Sequence, residues 1–159
     1  MATQLSDATT TIQMVIISIA APSKTGKTTF LEHLIPILIK NGLQVGYLKH
    51  SHHPLSDSPQ SDSKRIQRTG AVPCMATTSH DFHTEIQPFQ QCQIVLVEGF
   101  RSANLETILL LRGVQDQSWT VPQKIICRLD ISNLEQALLF AQELIYTKLQ
   151  WSIRSLSIT

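Results

Sequence analysis

A nine-residue segment, Ala21-Pro22-Ser23-Lys24-Thr25-Gly26-Lys27-Thr28-Thr29, separates a short apolar run, Met14–Ala20, from a stretch with helical periodicity, Lys27–Lys40. A glycine followed by Lys-Thr at a strand-to-helix corner admits few folds. The backbone N–H groups of the loop and of the first helical turn converge on one point, where the helix dipole adds positive potential. That point is a seat for a phosphate chain, and the segment is a P-loop. Gly26 lets the backbone approach the anion, Lys27 supplies a full charge to the β and γ oxygens, and the Thr28 hydroxyl is placed to join the shell of Mg²⁺. Nucleotide contact is therefore expected from Pro22, Ser23, Lys24, Thr25, Gly26, Lys27, Thr28 and Thr29. Ala21 stands where the strict pattern has glycine, and costs about 1 kcal/mol or more if the backbone there needs a positive φ.

Further apolar runs lie at Val45–Leu48, Ile94–Val97, Thr107–Leu111 and Lys124–Cys127, with a weaker one at Val72–Thr77. Most do not alternate with polar residues, as expected of strands covered on both faces of a mostly parallel sheet. Phe30, Leu31, Leu34, Ile35, Leu38 and Ile39 make an apolar stripe on the first helix. Pro36 predicts a kink within it, and Asn41-Gly42 a stop. Ser132 and Glu135 have capping-box spacing ahead of a C-terminal helix whose apolar face runs from Leu134 to Leu149. Ser51–Ser63 reads as a loop, and Asp62–Thr69 as a short helix. The alternation predicts an α/β, P-loop NTPase-like three-layer fold, a mostly parallel sheet flanked by helices. The expected boundaries are a tail over 1–12, one nucleotide-binding domain over 13–151 and a tail over 152–159. Thr107–Leu111 is expected at a sheet edge, available to another chain.

Ile94–Val97 ends in Glu98-Gly99, an acidic residue at the tip of a buried strand, where a carboxylate holds Mg²⁺ opposite the P-loop hydroxyl. The candidate metal residues are thus Thr28 and Glu98, and the candidate catalytic residues Lys27 and Glu98. Net charge is +1 among 159 residues, so no whole-molecule field favours nucleic acid or an anionic membrane. The apolar run at the N-terminus is far shorter than the roughly 20 residues of a membrane helix, and no signal peptide precedes it. Three widely spaced cysteines, without a C-x-x-C pair, fit inert thiols in a cytoplasmic protein, with Cys74 and Cys127 in apolar runs.

Three later segments follow in order: Lys49-His50-Ser51-His52-His53 after Val45–Leu48, then Asp62-Ser63-Lys64-Arg65, then Glu98-Gly99-Phe100-Arg101. With the P-loop, this ordered set resembles the molybdopterin-guanine dinucleotide biosynthesis protein B (MobB) family from about Met14 to Arg112. The resemblance implies a GTPase-like P-loop fold, a homodimer, GTP and Mg²⁺ as ligands with weak hydrolysis, and partnership with the guanylyltransferase that attaches GMP to molybdopterin. It also favours binding of an anionic substrate by Lys49, His50, His52, His53, Asp62, Ser63 and Arg65. Ser61 stands where the family tends to have Lys. Read from the residues alone, the histidines equally suit packing or a metal, and Arg65, Arg68 and Arg101 suit phosphate or a solvated surface. Cys127-Arg128-Leu129-Asp130 occupies the place of a guanine-reading N/T-K-x-D sequence, which would make Asp130 a nucleotide contact. A helix cap or turn is the other role open to it. The alternative functions are an ATP-dependent small-molecule kinase and a nucleotide-gated metal or cofactor carrier.

Overall fold

A computed structural model describes residues 13–156, with side chains as far as Ser152. The expected tail over 1–12 lies outside the described residues. The elements run β1 (Val15–Ala20), α1 (Lys27–Lys40), β2 (Val45–His50), α2 (Asp62–Gln67), β3 (Cys74–Thr77), α3 (Phe82–Glu85), β4 (Ile94–Glu98), β5 (Glu106–Leu111), β6 (Lys124–Asp130) and α4 (Leu134–Leu156). The helix α4 therefore passes well into the segment expected as a C-terminal tail.

All six strands pair in parallel, in the order β3-β2-β4-β1-β5-β6. This is the sheet expected from unbroken Val/Ile/Leu runs, which need cover on both faces. β5 lies between β1 and β6, so Thr107–Leu111 is an interior strand and the edges are β3 and β6. Its run of five buried residues from Thr107 to Leu111 suits that place, since an edge strand would be partly wet.

One face of the sheet packs against α1, α2 and α4. Phe30, Leu31, Leu34, Ile35 and Leu38 of α1 join Ile17 and Ile19 of β1 and Ala141 and Ile145 of α4 in one buried cluster. The helix continues through Pro36, where one backbone hydrogen bond is forgone, because buried side chains on both sides fasten it. On the second face, Phe89 and Phe100 cover Leu48, Val95 and Val97. Farther along, Val121 and Trp119 cover Leu109 and Leu111. Ile16 packs against the first of these clusters and Ala20 against the second. Ser18 lies between them on the same strand face and is fully buried.

Helix ends follow local chemistry. Asn133 accepts from the Gln136 N–H at 3.2 Å and so caps α4. Ser132, expected in that role, is taken up by Asp130, which accepts from the Ser132 amide at 2.9 Å and from its hydroxyl. Of the cysteines, Cys92 is buried, while Cys74 and Cys127 are only half-buried.

Glu106 ties three elements together, accepting from Lys124 of β6 at 3.0 Å and from Lys148 of α4. Lys148 first, then Lys124, hold its carboxyl below the ordinary value of 4.5. Since the folded group is the stronger acid, its stabilisation is complete above the unfolded value and is lost as pH falls through the folded one. Glu106→Gln should therefore lower unfolding stability at pH 7 by about 0.5–1 kcal/mol, the range for partly exposed pairs. Urea titrations should find that difference vanishing in acid.

Candidate functional site

The carboxyl ends of β1, β2 and β4 open into a cleft of about 590 Å³. All eight predicted loop residues, Pro22 to Thr29, line it. Gly26 takes φ +107° at the start of α1, a conformation that side chains resist. A Cβ there would also stand 3.0 Å from Arg112 Nη2. Lys24 is left-handed as well, whereas Ala21 is not among the residues with positive φ. The alanine thus carries no backbone penalty. Thr25 closes a turn onto the Pro22 carbonyl at 3.3 Å, and Arg112 Nε donates to the Thr25 carbonyl at 3.0 Å.

The start of α1 has no side-chain cap and no acidic residue in its first turn. The other three helices are capped by Ser61, Asp81 and Asn133. The first N–H groups of a helix have no partner within it, so α1, alone of the four α-helices described, presents donors and dipole that no side chain cancels, and it does so into the cleft. An anion suits that end.

Register explains the next contact. β4 pairs with β1 on one side and β2 on the other, with Lys49 opposite Glu98. The Glu98 carboxylate is thereby set beside the P-loop, 2.9 Å from Lys27 Nζ through Oε2. Its other oxygen accepts from the Tyr47 hydroxyl at 2.7 Å. Glu98 and Tyr47 are both buried. Burial first, and then the Glu98 charge, push the Tyr47 phenol well above its usual range, so it remains a donor.

Beyond this core, Lys49, His50, His52, Asp62, Arg65 and Arg101 also line the cleft. Their charges are partly satisfied already. Arg65 binds Glu32 through two nitrogens, Nε at 2.9 Å, and Lys49 lies 3.6 Å from Asp62. Ser63 lines a neighbouring hollow of about 340 Å³ that shares Lys49 and Asp62 with the cleft. His53 lines neither. Asp130 also lies outside both, and Ser132 chiefly, with the Gly113 amide, holds its carboxyl below the usual range. The turn role is the one its contacts support. Arg68 turns away to the Pro59 carbonyl at 2.8 Å.

His50 meets His80 at 4.5 Å and His52 at 4.7 Å between ring centres. Burial chiefly, and then the two neighbouring histidines, lower its pKa and keep the ring neutral near pH 7. Among the described residues, no group of three or more His, Cys, Asp or Glu side chains is arranged to hold a metal ion. Thr28 and Glu98 do share the cleft, and a hydroxyl with a buried carboxylate is a donor set suited to a hard cation.

Sequence reading missed Tyr47, His80, Arg112, Trp119 and Gln123. Tyr47 lies inside an apolar run, and Arg112 acts across 87 residues. Neither position carries a motif.

The family described as molybdopterin guanine dinucleotide synthesis protein B matches residues 16–129. The chain belongs to the MobB family. A molybdopterin-guanine dinucleotide biosynthesis adapter protein of Escherichia coli (strain K12) is 32% identical over 114 residues, covering 61% of this chain and 65% of that protein. The chain thus spans a little under two thirds of that relative's length. The adapter protein of the same name from Haemophilus influenzae is 31% identical over 126 residues, covering 70% of each. Two MobB crystal structures share the fold. One, of molybdopterin-guanine biosynthesis protein B, has TM-score 0.55 and 21% identity, and covers 82% of this chain and 99% of its own. The other, of a MobB homolog from Bacillus stearothermophilus, has TM-score 0.54 and 15% identity, and covers 83% and 98%. The P-loop NTPase-like expectation and the MobB resemblance are both borne out.

Removing the Tyr47 hydroxyl leaves one buried Glu98 oxygen without a donor. Tyr47→Phe should lower unfolding stability by about 1–3 kcal/mol, measured by urea denaturation, with little change in secondary structure.

Proposed function

We propose that this chain binds GTP with Mg²⁺ and acts as an accessory protein in the assembly of molybdopterin guanine dinucleotide. One observation carries the nucleotide reading: an uncapped helix N-terminus, a lysine and a buried carboxylate meet in one cleft. The backbone N–H groups from Ser23 to Thr29 would grip the β and γ phosphates, with Pro22 shaping the start of the loop. Lys27 would leave Glu98 for the phosphate oxygens, and Thr28 and Glu98 would hold Mg²⁺, which supplies positive charge against the phosphates. The names of the relatives support the place in cofactor assembly. The partner would be the guanylyltransferase that attaches GMP to molybdopterin. Lys49, His52, Asp62, Arg65 and Arg101 would face the anionic substrate, and the hollow beside Ser63 leaves room for it.

Hydrolysis is expected to be slow, because no side chain is assigned as an arginine finger: Arg65 is tied to Glu32, and Arg101 is given to the substrate. Leu139, Phe140 and Trp151 are exposed on α4. They offer apolar area to a second copy in a homodimer or to the transferase. Among the described residues no helix is long and apolar enough to cross a membrane, in keeping with a cytoplasmic protein.

Isothermal titration with GTP and ATP, with and without Mg²⁺, tests the reading. GTP should bind more tightly than ATP, and Lys27→Ala should weaken it about 10- to 100-fold, the worth of a charge-assisted hydrogen bond. Preference for ATP, with phosphate transfer to a small acceptor, would replace this reading with a kinase. Indifference to every triphosphate would remove it.

A further inference from the structure

Four buried side-chain atoms among the described residues have no hydrogen-bond partner: Ser18 Oγ, His50 Nε2, Gln123 Oε1 and Tyr146 Oη. Three of the four belong to residues that line the cleft. An unpaired buried polar group costs about 1–3 kcal/mol, so this wall is expensive as it stands.

Its position relates it to the phosphates. Gln123 Nε2 donates to the Gly99 carbonyl at 3.2 Å, which leaves Oε1 as a bare acceptor. His50 packs against the same residue: Gly99 has φ +83°, and a Cβ there would stand 2.8 Å from His50 Cβ. Gly99 directly follows Glu98, whose carboxylate is 2.9 Å from Lys27 Nζ. The wall thus abuts the end of the seat that Lys27 reaches, where the terminal phosphate belongs. One His50 nitrogen hydrogen-bonds to the Thr78 backbone, and the ring is neutral near pH 7, so Nε2 carries a lone pair. Ser18, on the same face of β1 as Ile16 and Ala20, lines the cleft from below. The three groups offer two acceptors and a hydroxyl, a set that suits an O–H donor and not an anion.

We propose that Gln123 and His50, with Ser18 beneath them, hold and orient the oxygen nucleophile that attacks the terminal phosphate of the bound triphosphate. This rests on the nucleotide reading above and gives the slow hydrolysis its residues. The nucleophile is a water or the hydroxyl of a second substrate. Its oxygen forms a bond to the γ-phosphorus as the bond from that phosphorus to the bridging oxygen breaks, the electron pair leaving on the diphosphate. Its proton passes to His50 Nε2 and from there to the released phosphate. Gln123 Oε1 takes a hydrogen bond from the attacking group and fixes its approach.

The test uses the full chain with GTP·Mg²⁺, measuring affinity by titration and turnover by single-turnover product release. Glycerol at high concentration serves as a hydroxyl probe, with inorganic phosphate and glycerol phosphate resolved. Gln123→Met and His50→Asn should each slow turnover at saturating GTP by about tenfold or more and leave affinity within about twofold. Loss of inorganic phosphate identifies water as the nucleophile, and loss of glycerol phosphate a hydroxyl; either supports the assignment. Melting curves check folding, and if Gln123→Met does not fold, His50→Asn carries the same comparison. Intact GTP binding with turnover insensitive to both variants, or with no turnover in the wild type, would overturn this assignment alone. A wild type that binds no triphosphate would overturn the nucleotide reading as well.

Discussion

The contact between Lys27 and Glu98 joins the two halves of the site. It exists because β4 inserts between β1 and β2, although it comes later in the chain than both. A lysine on the P-loop needs a counter-charge while no phosphate is present, and a buried carboxylate needs a cation or donors to offset its desolvation. Each solves the other's problem, with Tyr47 completing the arrangement from beneath. On the proposed reading, an arriving phosphate would compete for the lysine and set the carboxylate free to serve a cation. The site is therefore paired, and on that reading its chemistry would begin with an exchange of partners.

The same economy extends around the cleft. Arg65 is held by Glu32, Lys49 lies near Asp62, and Arg112 is spent on the Thr25 carbonyl. Positive charge is plentiful near the loop but mostly committed. The uncapped end of α1 differs, because its donors are backbone groups that cannot turn away to other partners.

Much of this was legible in the sequence, for definite reasons. Unbroken Val/Ile/Leu runs report burial on both faces, so the parallel sheet and the loop at its centre could be read locally. Glu98 was legible because it follows such a run. Strand order was not. Thr107–Leu111 reads alike at an edge or inside, and only pairing with both β1 and β6 places it within the sheet. Asp130 shows the limit of motif position: its place in chain order suits a base contact, but Ser132 two residues later captures the carboxylate. Gln123 and His80 carry no pattern at all. Their meaning comes from neighbours across the sheet, which no spacing rule encodes.

Ala21 has a consequence of its own. Its ordinary backbone angles mean that the methyl group costs nothing in the folded loop, while an alanine has fewer conformations to lose than a glycine when the chain is unfolded. The entrance to the phosphate seat is accordingly stiffer than a glycine there would make it. Part of the ordering that a ligand would otherwise impose has been done during folding.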